Sequence, residues 1–123
     1  MAKDTKKADI LAEVIVKGMQ EKKAKKIVKI DISEINEAAA DFFVICHGDS
    51  DRQARAISEG VEEETIDALK EKPVNREGQS EGRWVLLDYI DVVVHVFQKD
   101  IREFYEIEDL WHDGKITAYE DLD

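Results

Sequence analysis

The stretch Asp88–Val96, DYIDVVVHV, decides how this chain is read. Two aspartates bracket Tyr89 and Ile90, a run of valines follows, and a histidine interrupts it. A two-residue turn at Tyr89 and Ile90 makes Asp88 and Asp91 the pair that closes a hairpin. The register then sets Leu87 against Val92, Leu86 against Val93, Val85 against Val94 and Trp84 against His95. Successive side chains alternate across a strand, so Val85, Leu87, Val92, Val94 and Val96 share a face that must be core. The opposite face carries Trp84, Leu86, Asp88, Asp91, Val93, His95 and Phe97. It is too polar for a core and too apolar for free exposure, a mixture typical of protein interfaces. Trp84, Leu86, Asp88, Tyr89, Asp91 and His95 are therefore the candidate partner-binding residues, with Trp84 and Tyr89 expected to stand partly exposed as anchors.

The same residues have a catalytic reading, which is weaker. Aspartates flanking a turn accept hydrogen bonds from nearby backbone amides. His95 opposite Trp84 reads as a packed, hydrogen-bonded side chain, because no nucleophile stands beside it at a recognisable spacing. His47, His95 and His112 fall on separate elements without ligand-pair spacing, so no metal site is expected. In HGDSDRQ (residues 47–53), Gly48 and Ser50 could offer amides and a helix N-terminus to an anion. The lysine of a phosphate-binding loop is missing there, and Asp49 and Asp51 would repel a phosphate. A structural cap is the better account. No catalytic residue and no cofactor is assigned.

Working outward, residues 5–21 place Ile10, Leu11, Val14, Ile15 and Met19 on one helical face. KIVKIDI (residues 26–32) alternates, with Val28, Ile30 and Ile32 on one side and Lys29 and Asp31 on the other. It reads as a strand with one wet face near a sheet edge. DFFVICHG (residues 41–48) is apolar on both faces and reads as a central strand. Ser50 and Gln53 have capping-box spacing at the start of a second helix, whose inward stripe is Ala54, Ile57, Val61, Thr65 and Ala68 and which Pro73 stops. NREGQSEGR (residues 75–83) is a polar loop. The strands RWVLLD and DVVVHVFQ follow, then a third helix, DIREFYEIEDLW (residues 100–111). Residues 112–123 form an acidic, weakly periodic tail expected to be loosely held. Helix, strand, strand, helix, strand, strand, helix makes a single α/β domain with a mixed sheet flanked by helices. The helix between the second and third strands implies one parallel crossover.

At 123 residues the chain has the length of one domain with a real core, and 38% of it is charged. No apolar run approaches the roughly 20 residues of a membrane span. The opening MAKDTKKADI has no secretory pattern, so a soluble cytoplasmic protein is expected. Cys46 is the single cysteine, which rules out an internal disulfide. It reads as a small buried apolar residue. The net charge of −11 argues against broad binding to nucleic acid and fits a basic partner. The basic run KKAKKIVK (residues 22–29) reads as a solvated helix end.

DFFVICHGDSDRQARAIS, then Glu81, Gly82 and Trp84, then DYIDVVVHVFQ, then REFYEIEDLW follow one another in an order and spacing that resembles the Iojap-related ribosomal silencing factors, the RsfS family. The likeness runs from about residue 8 to Trp111. His47 and Asp49 stand where that family commonly has threonine and asparagine. Ile90 stands where it often has glycine, which works against a tight primed turn because a β-branched residue avoids positive φ. The resemblance implies a nucleotidyltransferase-related fold without transferase activity. It implies a translational repressor that binds the large ribosomal subunit through its fourteenth protein, at the intersubunit face, and blocks joining of the small subunit. It also implies a homodimer when free. The rival is a magnesium-dependent nucleotidyltransferase, for which Gly48 with Ser50 and Asp88 with Asp91 are a thin echo of a catalytic arrangement. A plain dimeric scaffold is a third reading.

Overall fold

A computed structural model describes residues 5–35, 40–110 and 113–122. The elements in chain order are α1 (Thr5–Glu21), β1 (Lys25–Asp31), β2 (Phe42–Gly48), α2 (Asp51–Leu69), β3 (Asn75–Glu77), β4 (Trp84–Asp88), β5 (Val92–Gln98), α3 (Lys99–Tyr105), α4 (Ile107–Leu110) and β6 (Lys115–Ala118). The strands form one mixed sheet in the order β3-β4-β5-β2-β1-β6. As expected, β2 is central. The parallel pair is β2 with β5, so the crossover from β2 carries α2 together with β3 and β4.

Helices α1 and α2 cover one face of the sheet. Ala8, Leu11, Ala12, Ile15, Val16 and Met19 of α1 are buried there with Ala54, Ile57 and Val61 of α2 and Val85, Leu87, Val92, Val94 and Val96 of the hairpin. Each fully buried aliphatic side chain of this kind contributes about 1.5–3 kcal/mol. The α1 stripe is rotated from the expected one: Ile10 is 47% exposed, and the small residues Ala8 and Ala12 take the inward positions because the two helices approach closely. A Cβ on Gly18 would meet Val61 Cα at 2.9 Å and the Gly60 carbonyl at 3.0 Å. Only a glycine permits that backbone contact.

Helix α2 begins as its cap predicts, with the Ser50 side chain accepting from Gln53 N. The Gln53 side chain reaches back to the amide of Asp49, one residue before the cap. The helix ends at Leu69, ahead of Pro73. Lys70 takes a left-handed φ of 58° and its amide bonds to Ile66 O, the single 5→1 bond of an αL cap, while the amide of Glu71 bonds to Thr65 O. Ala68, expected inside, is exposed in this last turn.

Three stretches differ from the sequence reading through pairing that no local pattern announces. The loop expected over residues 75–83 contains β3, an exposed edge strand paired with β4. The tail expected to be loose contributes β6, in which Ile116 lies opposite Ile30 and Ala118 opposite Val28. Strand β1 is consequently interior to the sheet, and its Lys29 face is covered. The Lys29 ammonium meets Asp9 at 2.8 Å and Glu13 at 2.7 Å on α1. Burial alone would lower its pKa, but these hydrogen bonds hold it above the ordinary lysine range. A bulge between Lys25 and Val28, with Lys26 at φ 52°, turns Ile27 into the helix-covered core.

The single third helix is two. Glu106, left-handed at φ 46°, ends α3, and its amide bonds to Arg102 O. Trp111 and His112 lie outside the described residues. Strand β5 runs directly into α3, with the Gln98 side chain accepting from the amides of Asp100 and Ile101. That turn folds α3 and α4 back onto the second face of the sheet, over Ile30, Ile32, Ile45 and Phe97.

Candidate functional site

The hairpin has the predicted faces but not the predicted register. Trp84 lies opposite Phe97, Leu86 opposite His95, Leu87 opposite Val94 and Asp88 opposite Val93. The shift is two residues, so parity survives and every core valine stays inside. The turn residues are Ile90 and Asp91 rather than Tyr89 and Ile90: Tyr89 N donates to Val92 O, and Asp91 N donates to Tyr89 O at 3.0 Å. That second bond closes a γ-turn around Ile90, which adopts φ 76°. Asp88 Oδ1 accepts from Ile90 N at 2.8 Å, the turn-holding role expected of a flanking aspartate.

The mixed face is graded. Phe97 and His95 are buried, and Phe43, Trp84, Leu86, Asp88 and Val93 are half-buried. Asp91 is exposed at the tip. The Trp84 ring packs 4.9 Å from Phe97 and 5.1 Å from Tyr105 of α3. Its Nε1–H donates to His95 Nδ1. An indole nitrogen only donates, so Nδ1 is the acceptor and the imidazole proton sits on Nε2. That Nε2 is buried and has no hydrogen-bond partner among the described residues. Burial lowers the His95 pKa to about 4.

Tyr89 corrects the expectation of an exposed anchor. It is 6% exposed and turned into the core under α2, with its hydroxyl 2.9 Å from Thr65 Oγ1. Burial pushes its pKa up to about 12. It fixes the hairpin to the helix from beneath. The exposed apolar groups that sequence reasoning missed are Phe104 and Tyr105, at 79% and 52% exposure, and Ile90 and Val74, at 61% and 64%. The sequence reading places both Phe104 and Tyr105 in one helix over residues 100–111 and assigns neither to a face. The break at Glu106 leaves them outside.

A groove of about 670 Å³ opens at the C-terminal ends of β2 and β5, lined by Lys25, Lys26, His47, Asp49, Lys99 and Arg102 among others. Arg102 is buried beside it. Its guanidinium takes both carboxylate oxygens of Glu108, at 3.1 and 3.0 Å. It also meets His47 Nδ1 at 3.0 Å and Lys25 O at 3.4 Å. Burial, then the Arg102 charge, lowers the His47 pKa. The groove is mixed in charge, since Glu103, Glu106, Asp109 and Asp121 also line it.

The elements of the transferase echo do not converge. Gly48 pairs with Gln98 at one end of the parallel pair, and Phe42 with Val92 at the other, next to Asp91. Six strand steps separate those ends, about 20 Å. Gly48 and Ser50 thus stand apart from Asp88 and Asp91. Among the described residues no group of three or more His, Cys, Asp or Glu is gathered to hold a metal ion. Cys46 is buried and its pKa is pushed up to about 12 by that burial, which makes it a packing residue and a poor nucleophile. No described helix is long and apolar enough to cross a membrane.

Comparison with known proteins agrees with the fold and with the order of motifs. Residues 4–123 match the family described as ribosomal silencing factor during starvation, RsfS. The chain is 39% identical to the ribosomal silencing factor RsfS of Bacillus subtilis over 114 residues, covering 92% of each. It is 40% identical to that of Halalkalibacterium halodurans, covering 89% of this chain and 92% of the relative. A crystal structure of a Chromobacterium violaceum protein superposes with a TM-score of 0.79 at 32% identity, covering 85% of each chain. One from Bacillus halodurans gives 0.74 at 36% identity, over 91% of this chain and 98% of the other. The matched region includes the residues after Trp111 that the motif-level resemblance left out.

Proposed function

The chain belongs to the RsfS family of ribosomal silencing factors, and from that premise we propose that it represses translation by binding the large ribosomal subunit. The contact is with the subunit's fourteenth protein at the intersubunit face, where the bound domain excludes the small subunit. The observation that carries this reading is the half-buried mixed face of Trp84, Leu86, Asp88 and Val93, continued by exposed Tyr105 and Phe104. A large aromatic with apolar neighbours on a rigid sheet suits the core of a protein interface, where aromatics are enriched, and the acids suit its polar rim. Trp84, Leu86, Asp88 and Asp91 make the contact, and Tyr89 and His95 hold the surface in shape from below. The net charge of −11 complements a basic ribosomal protein. The protein works in the cytoplasm and is a homodimer when free.

The mechanism is steric. A standard interface covers about 800 Å² per partner, enough for a domain of this size to obstruct docking. Nothing covalent is required, so repression is stoichiometric and reversible. The separation of Gly48 from Asp88 and Asp91 weighs against a nucleotidyltransferase, and no pyrophosphate should be released from nucleoside triphosphates with magnesium. Co-sedimentation with isolated subunits tests the reading: retention on large subunits alone is expected. Mixing with large subunits before adding small ones should reduce joined ribosomes in proportion to occupancy, while preformed ribosomes resist. Splitting of assembled ribosomes, or action far below one copy per subunit, would sink the steric account.

A further inference from the structure

The hairpin tip holds an isoleucine where the backbone is unfavourable for it. Ile90 adopts φ 76°, a region in which a β-branched side chain crowds its own backbone. The turn has no freedom to relax. The Ile90 amide is taken by Asp88 Oδ1 at 2.8 Å, Tyr89 N by Val92 O at 2.9 Å, and Asp91 O accepts from Asp41 N at 2.7 Å. The Tyr89 hydroxyl is fixed to Thr65 beneath. The surrounding structure therefore imposes the strain, and the side chain recovers none of it by burial, since it remains 61% exposed. For folding alone, glycine or asparagine would serve better at this position. Strain that the fold imposes and does not use points to a use outside the fold.

A second exposed apolar group stands at the same end of the sheet. Val74 is 64% exposed and donates its amide to Asp88 O at 2.8 Å, which ties it to the same turn. Asp88 and Asp91 flank the pair. The tip thus presents exposed aliphatic groups on a fixed backbone beside carboxylates, the complement of a shallow apolar depression rimmed by lysine or arginine.

We propose that Ile90, supported by Val74, is a preorganised apolar anchor that seats in a basic protein surface of the large ribosomal subunit. The proposal rests on the subunit-binding reading above and extends that contact from the sheet face to the hairpin tip. A backbone fixed before binding loses little freedom on docking, which favours affinity.

Two variants separate the anchor from the turn. Ile90→Gly removes the side chain and the strain, and Ile90→Asn replaces it with a polar group that tolerates positive φ. Thermal unfolding and co-sedimentation with purified large subunits are measured for both beside the unsubstituted protein. The expected result is a melting temperature equal or higher in both, with affinity weaker by about tenfold or more, the value of one buried aliphatic side chain. Binding of both within about twofold of the parent overturns the anchor while leaving the subunit-binding reading intact. A lower melting temperature in both overturns the strain on which the anchor is argued. If the unsubstituted protein itself is not retained on large subunits, the functional reading fails, and the anchor proposal with it.

Discussion

The Trp84 indole donates to His95 Nδ1 at 3.0 Å, and this one bond fixes both the tautomer of a buried histidine and the orientation of a half-buried tryptophan. Protonating His95 would set a second N–H against the indole N–H, in a site where burial already disfavours charge.

His95 therefore makes the fold acid-sensitive. Its pKa falls from 6.5 to about 4 on folding, so the unfolded chain binds the proton first. Stability is full above about pH 6.5 and declines by roughly 3 kcal/mol as the pH falls to 4. Denaturant unfolding between pH 7 and 5 should show this slope beyond that of the carboxylates. His95→Gln, which keeps an acceptor for Trp84 but cannot titrate, should have a shallower one. An imidazole resonance that titrates near 6.5 would refute the burial of this ring.

Tyr89 supports the hairpin from the α2 side of the sheet. Tyr89→Phe loses the hydrogen bond to Thr65 and should lower stability by about 1 kcal/mol. Retention on large subunits should not change. In spectrophotometric titration the Tyr89 phenol should ionise only near pH 12, well after an exposed tyrosine.

Arg102 clamps α3 and α4 to the sheet through Glu108, His47 and the Lys25 carbonyl. Lysine lacks the planar fork, so Arg102→Lys cannot keep those partners together. Glu108 is 30% exposed and its pairing is partly screened, which limits the expected loss to about 2 kcal/mol. Amide hydrogen exchange should quicken in residues 99–110 and stay slow in α1 and α2.

The α1–α2 crossing depends on a bare backbone. Gly18→Ala would place a Cβ 2.9 Å from Val61 Cα. Backbone cannot swing aside, so the helices must separate at a cost of about 1–3 kcal/mol. The denaturant midpoint should fall, with the m-value unchanged.

Complementary charge acts mainly on encounter, and salt screens it over about 8 Å at physiological strength. Association with large subunits should slow as salt rises, with dissociation changing less. An association rate indifferent to salt would reduce the −11 charge to a matter of solubility.

The sequence by itself determined the properties that depend on a residue and its near neighbours. Period-two alternation placed Val85, Leu87, Val92, Val94 and Val96 inside, even though the assumed register was two residues out, because a shift of two preserves parity. Ser50 and Gln53 marked the start of α2, and the unbroken apolar run of β2 marked the centre of the sheet. Only the tertiary structure decided what depends on a distant partner. β3 and β6 are strands because β4 and β1 offer them hydrogen bonds. Tyr89 turns inward because Thr65 of α2 lies beneath it, and Lys29 is covered because Asp9 and Glu13 of α1 lie above it. The conformation of Ile90 runs against its own local preference. Bonds from Asp88, Val92 and Asp41 hold it there, and the preference of one residue is too small to resist several hydrogen bonds acting together.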